Sequence, residues 1–179
     1  VGRTSATPDF QNPNYERHDT IGLNYRMNSV SAAVGLGQLE RIEYLVERRK
    51  CVGNMFLKSV EGCDWMVPQF QPSNCNHTQY TFGVEYLGEE KKGIKWKEFH
   101  NKFTEMGGDG FYAAWKNPYL EPALKGKSFD NFKCEEGLCP VAEDLQKKIM
   151  LFKTNYRDLS KARYNADLLK KLVDSIERS

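Results

Sequence analysis

The chain has 179 residues, with 26 Lys and Arg against 24 Asp and Glu and a formal net charge of +2. Charges of both signs are interspersed, which removes the electrostatic case for a nucleic-acid or anionic-membrane partner. No apolar run approaches the roughly 20 residues that span a bilayer, and the length suits one domain with a real core or a small domain plus extensions. The cysteines, Cys51, Cys63, Cys75, Cys134 and Cys139, are odd in number and lack small-scaffold spacing. Reduced cytosolic thiols are therefore the expectation rather than a disulfide framework. Cys134 and Cys139 with His77 and His100 lack the CxxC and HxxxH pairs of a zinc site, and no metal is expected.

Val1 to Asp19 is polar, with Pro8 and Pro13, and reads as irregular. A polar, aromatic turn follows, Gly22-Leu23-Asn24-Tyr25-Arg26-Met27. Apolar residues then recur by threes and fours at Val30, Ala33, Val34, Leu36, Leu39, Ile42, Leu45, Val46 and Val52, which predicts a helix capped at Asn28 or Ser29. Run to Val60, it would be about 45 Å long, with a kink expected near Cys51-Val52-Gly53. Ala32, Ala33, Gly35 and Gly37 form a small-residue face that lets another backbone approach, as in a dimer. Arg48, Arg49 and Lys50 read as solvated charges.

Trp65 to Gln69 reads as a short strand that Pro68 confines to an edge. Thr78 to Tyr86 is the clearest strand, with Tyr80, Phe82, Val84 and Tyr86 on one face. Gly88 to Gly93 reads as a charged turn. Lys95 to Met106 reads as a helix with Trp96, Phe99, His100 and Phe103 on its stripe, His100 at the core edge. Gly107 to Gly110 would end it. Phe111 to Pro122 is aromatic, contains two prolines and lacks either periodicity. Lys125 to Gly137 reads as a loop anchored by Phe129 and Phe132. Pro140 suits a first helical position, with Glu143 and Asp144 in the first turn. Met150 to Thr154 reads as a strand, and Ser160 as the cap of a last helix burying Tyr164, Leu168, Leu169, Leu172, Val173 and Ile176. A small mixed or antiparallel sheet with helices on one side fits this order, an α/β (α+β) architecture.

The stretch from Gly22 to Arg49 resembles the DegT/StrS family of pyridoxal-phosphate-dependent sugar aminotransferases. Gly22, Asn24 to Met27, Ala32-Ala33, Gly35-Leu36, Gln38-Leu39 and Arg48-Arg49 follow that family's order. His18-Asp19-x-Ile21-Gly22 looks most like perosamine-synthase-type members, and Cys139 to Glu143 resembles a later helix start of the family. The resemblance implies the small C-terminal domain of a fold-type-I transaminase: an irregular segment and phosphate turn over 1–28, a bridging helix over 29–60 and the small domain over 61–179. It implies pyridoxal 5'-phosphate, a nucleotide-linked keto-deoxy sugar, an amino-acid donor such as glutamate, and a cytoplasmic homodimer with shared active sites. The cofactor lysine of such enzymes is expected upstream of Val1, so no catalytic residue is assigned here and the 179 residues alone are expected to be inactive.

By the same resemblance Asn24 would donate its amide to the cofactor phosphate of a neighbouring subunit. Arg26 would meet a cofactor or substrate phosphate, or else hold the turn. The Phe111 to Pro122 segment lacks the histidine many relatives carry there. Tyr112, Trp115 and Lys116 are candidates for the nucleotide-sugar pocket: aromatic faces suit sugars and bases, and a lysine suits a diphosphate. The alternative is that these aromatics pack the small domain. Competing activities are a sugar dehydratase of the same family and a non-catalytic dimerisation or nucleotide-sugar-binding module.

Overall fold

A computed structural model describes residues 27–178. The chain divides into two compact units, Val1–Ile42 and Glu43–Ser179. Of the first, the described part is α1 (Ser29–Leu39), whose cap is the expected one: Asn28 Oδ1 accepts from the Ser31 N–H at 2.8 Å. α1 buries none of its residues.

One long helix was the expectation; the structure has two. The ladder is interrupted at Glu40–Arg41, where the Arg41 N–H bonds Gln38 O three residues back, and α2 runs from Ile42 to Ser59. The kink anticipated at Cys51 to Gly53 is absent, because α2 continues through it. Gly53 is small for another reason. A Cβ there would lie 2.7 Å from the Gln79 side chain, so the glycine admits the segment leading into the next long strand.

The second unit is built on a four-stranded antiparallel sheet of order β1-β2-β6-β3: β1 (Met66–Pro68), β2 (Thr81–Tyr86), β3 (Tyr112–Ala113) and β6 (Ile149–Lys153). Pro68 is on an edge strand, as its missing N–H requires. Side chains alternate across the sheet. Phe82, Val84 and Tyr86 of β2, with Met150 and Phe152 of β6, are buried on one face. Against that face pack Val52 and Phe56 of α2, Phe99 and Phe103 of α4 (Trp96–Glu105), and Ala162, Ala166, Leu169, Leu172 and Val173 of α6 (Leu159–Glu177). The core is aromatic at its centre, with Phe56–Phe152 centroids 5.2 Å apart, Phe111–Phe152 4.8 Å and Trp65–Phe99 5.7 Å. Such pairs add about 0.5–1.5 kcal/mol each beyond the area they bury. Ser59 is the buried polar joint between α2 and α6, donating to Ala166 O at 2.7 Å.

Several local expectations are corrected. Tyr80 does not share the face of Phe82: it precedes β2 and is 79% exposed. The alternation fails there because Gln79 takes a positive φ of 53°, which re-aims the chain. Gly88 to Gly93 forms a short helix, α3 (Gly88–Lys92), closed by Gly93 at φ 69°. Phe129 and Phe132 do not anchor a loop in the core. They stack on each other at 5.3 Å across the two-residue strands β4 (Ser128–Phe129) and β5 (Phe132–Lys133) and are half exposed. The last helix is capped by Asp158, which accepts from the Ser160 N–H and hydroxyl at 2.8 Å each; Tyr164 lies outside its buried stripe. His100 is at the core edge as expected, stacked on Trp96 and edge-on to Phe111. Pro140 opens α5 (Pro140–Lys148), and Glu143 turns back to accept from the Gly137 and Cys139 N–H groups.

Two measurements check this packing. Phe56→Ala should lower the unfolding free energy by ~3–5 kcal/mol in denaturant titration, since it empties the middle of the aromatic cluster. The end of α6 is tied down by Glu177, which accepts from the Trp65 indole N–H and pairs with Lys92 at 2.8 Å. Lys92, and after it Trp65, hold the Glu177 carboxyl below its ordinary 4.5. A carboxylate lowered on folding stabilises the fold above its unfolded pKa and loses that contribution as pH falls through the folded one. Melting temperature should therefore drop below about pH 4.5, and Glu177→Gln should make that drop smaller.

Candidate functional site

The sheet's second face carries no aromatic core. Thr81 of β2, Leu151 and Lys153 of β6 and Tyr112 of β3 point away from Phe82, Met150 and Phe152 by the same alternation, with Thr81 paired to Lys153 and Tyr112 to Leu151. They floor an open cleft of about 1040 Å³ within the second unit. Ala113, Ala114 and Trp115 after the floor strand, Asn155, Tyr156, Arg157, Asp158 and Lys161 around the start of α6, and Arg49 and Tyr80 complete the lining.

The lining is held in place by hydrogen bonds to backbone. Arg49 donates from Nη1 to Tyr80 O at 2.9 Å and to Thr154 Oγ1 at 3.4 Å, and its guanidinium lies 5.5 Å from the Tyr80 ring centroid. Thr154, fully buried, donates to Gln79 O at 2.5 Å, so the entry to β2 and the exit from β6 are joined. Arg48 Nη2 donates to Tyr156 O at 3.3 Å and Arg157 O at 2.6 Å. These two arginines, expected as solvated charges, are instead clamps on the backbone of the lining residues Tyr80, Tyr156 and Arg157.

Charge in the cleft is predominantly positive: Arg49, Lys153, Arg157 and Lys161 against Asp158. The groups are not equally free. Lys153 pairs with Asp109 at 2.5 Å and sits 4.7 Å from the Tyr156 ring centroid. Lys153, through its hydrogen bond, holds the Asp109 carboxyl below the usual carboxylate range. Burial, then the charge of Asp109, pushes the Tyr156 phenol above its ordinary value. The Asp109 N–H also donates to Asn165 Oδ1 at 2.7 Å, which fixes this turn to α6. Asp158 is spent on capping α6, its carboxyl lowered by the Ser160 hydroxyl and then the Ser160 N–H.

Of the residues expected at the site, Tyr112 is on the cleft floor, and Trp115 is on its wall with 92% of its surface exposed. Neither packs in a core. Lys116 is exposed and is not among the lining residues. Asn24 and Arg26 lie outside the described residues. Sequence reading missed Arg49, Lys153, Tyr156, Arg157 and Lys161. The period-two pattern of Ile149 to Lys153 carried the signal for Lys153, which alternates with the buried Phe152.

A family model described as the DegT/DnrJ/EryC1/StrS aminotransferase family matches residues 6–163. The chain belongs to this family. Over 43 residues it is 40% identical to the GDP-perosamine synthase of Escherichia coli O157:H7, a match covering 24% of the chain and 12% of that protein. Among solved structures it resembles S. venezuelae DesV, captured with a ketimine intermediate, at a TM-score of 0.70 and 18% identity over 93% of this chain and 42% of that one. It also resembles Helicobacter pylori PseC, an aminotransferase of pseudoaminic acid biosynthesis, at 0.65 and 17% over 95% and 43%. These likenesses establish the fold, and the chain spans less than half the length of these solved relatives.

Pyridoxal phosphate, expected for the family, needs an amine to carry it, an acid for its ring nitrogen and donors for its phosphate. The described residues do not fit that whole group. Among them Lys161 is an amine without an ion pair, but Asp158, the one acid of the lining, is committed to its helix, and Asp109 beside it is paired with Lys153, so no free acid is at hand for the ring nitrogen. What the cleft does fit is an anion joined to a ring, held between cations and aromatic faces.

The clamp is testable on its own. Arg48→Ala should raise amide hydrogen exchange at Asn155 to Asp158 by roughly tenfold, the loss of one to two charge-assisted hydrogen bonds, while α6 stays protected.

Proposed function

We propose that this chain supplies the small-domain side of the substrate cleft in a pyridoxal-phosphate-dependent aminotransferase acting on a nucleotide-linked keto-deoxy sugar. The observation that carries the reading is the cleft itself: in a member of this aminotransferase family, the cleft on the sheet face free of core residues is lined by Tyr112 and Trp115 together with Arg157 and Lys161. Aromatic faces suit a sugar ring or nucleobase, and guanidinium and ammonium groups suit a diphosphate. The local identity to a GDP-perosamine synthase favours a guanosine-diphosphate-linked keto-deoxy sugar as the acceptor, and glutamate is proposed as the donor.

When bound, the cofactor supplies the amine carriage and the electron sink that transamination requires. This chain's residues bind and orient. Trp115 and Tyr112 cover ring faces, and the cations hold the anionic part so that the keto carbon stays in register with the cofactor. Asn24 and Arg26 are assigned to the cofactor phosphate, and the assembly to a cytoplasmic homodimer whose subunits share sites. The Schiff-base lysine is assigned to the whole enzyme's other domain.

The test is a transamination assay on the intact protein with pyridoxal phosphate, glutamate and the guanosine-diphosphate keto sugar, following 2-oxoglutarate and the amino sugar by mass spectrometry. Amino sugar should form, and Trp115→Ala should lower kcat/KM about tenfold, the order expected for losing one stacking face. Borohydride trapping should label no lysine among these 179 residues. Absence of amino sugar from any nucleoside-diphosphate keto sugar would sink the proposal.

A further inference from the structure

Four cations line the cleft, and their commitments divide them. Arg49 is used by Tyr80 O, Thr154 Oγ1 and the Tyr80 ring. Lys153 is used by Asp109 and the Tyr156 ring. Arg157 and Lys161 are exposed, and among the described residues neither side chain makes a hydrogen bond or ion pair, although the charge of Lys161 is felt by the Asp109 and Asp158 carboxylates. Their backbone is nonetheless fixed. Arg48 holds Arg157 O at 2.6 Å, and Lys161 O accepts from the buried Asn165 Nδ2 at 2.9 Å. Two exposed cations without a hydrogen-bonded partner stand on a clamped backbone, four residues apart at the start of α6, so ordering them on an anion would cost only side-chain freedom.

We propose that Arg157 and Lys161 are the specificity-determining diphosphate contacts of this cleft, while Arg49 and Lys153 serve to position its walls. The assignment rests on the nucleotide-sugar reading above and replaces Lys116, which does not line the cleft, in the role the sequence suggested for it. Asp158 stands between the two cations in sequence and opposes an anion. Its carboxylate already accepts both Ser160 donors, and it is outnumbered within the same lining. The planar Arg157 fork suits two phosphate oxygens at once, whereas Lys161 acts as a point charge.

The test is calorimetric titration of the intact protein with guanosine diphosphate and, separately, guanosine. Arg157→Gln and Lys161→Gln should each weaken diphosphate binding by tenfold or more while leaving guanosine binding unchanged. Lys97→Gln, the same charge change on an exposed position of α4, should match the parent. Arg157→Lys should recover part of the loss. If both Gln variants bind the diphosphate like the parent, or weaken guanosine equally, the inference is overturned although the nucleotide-sugar reading stands. If Lys116→Gln alone weakens the diphosphate, Lys116 keeps the role and the inference falls. If the parent binds neither ligand, the nucleotide-sugar reading fails and takes the inference with it.

Discussion

Alternation along β2 and β6 governs what this chain can do. Phe82, Val84, Tyr86, Met150 and Phe152 all turn to one side, where Phe56, Phe99, Phe103 and Phe111 meet them. Burying that much aromatic surface on one face fixes the register, because a slip by one residue would expose every ring together. The other face is thereby free of any duty to the core. Thr81, Leu151, Lys153 and Tyr112 can be small, charged or phenolic there without loss of stability, and the cleft is built from that freedom.

The cleft walls are loops, and loops carry backbone groups that need partners. Here the partners are side chains from secondary structure behind them. Arg48 and Arg49, neighbours on α2, reach two separate loops, the entry to β2 and the connection from β6 to α6. Asp109 and Lys153 tie the turn after α4 to the sheet, and Asn165 ties the same turn to α6. One helix thus holds two segments of the lining, while a buried amide and an ion pair hold the turn behind it. Positive charge is dispersed through the same elements, so the groups that shape the cleft also create its field.

Much of this was legible in the residues. The three-and-four spacing of the last helix, the apolar alternation of Phe82 to Tyr86, Pro68 as an edge marker and the Asn28 cap each carry their signal within a short window. What was not legible depended on contacts distant in sequence. Gln79 reverses the face of Tyr80 through a positive φ, which an amide side chain does not advertise. Gly53 looked like a weak point in a helix and is a point of close approach. Arg48 and Arg49 looked solvated because their carbonyl partners lie 31 to 109 positions away. Lys116 looked like a ligand by its neighbours Tyr112 and Trp115. Arg157 and Lys161 were passed over because nothing local marks a cation that the fold brings to a cleft.

The two ends of the sheet order bear on whether the sheet can be extended. An unpaired strand edge invites a second sheet to extend it. At one end β1 offers three residues, the last of them Pro68, with no N–H to give. At the other, β3 offers only Tyr112 and Ala113 before the chain leaves the ladder. Among the described residues, extension of the sheet is therefore opposed by chemistry on one side and by brevity on the other.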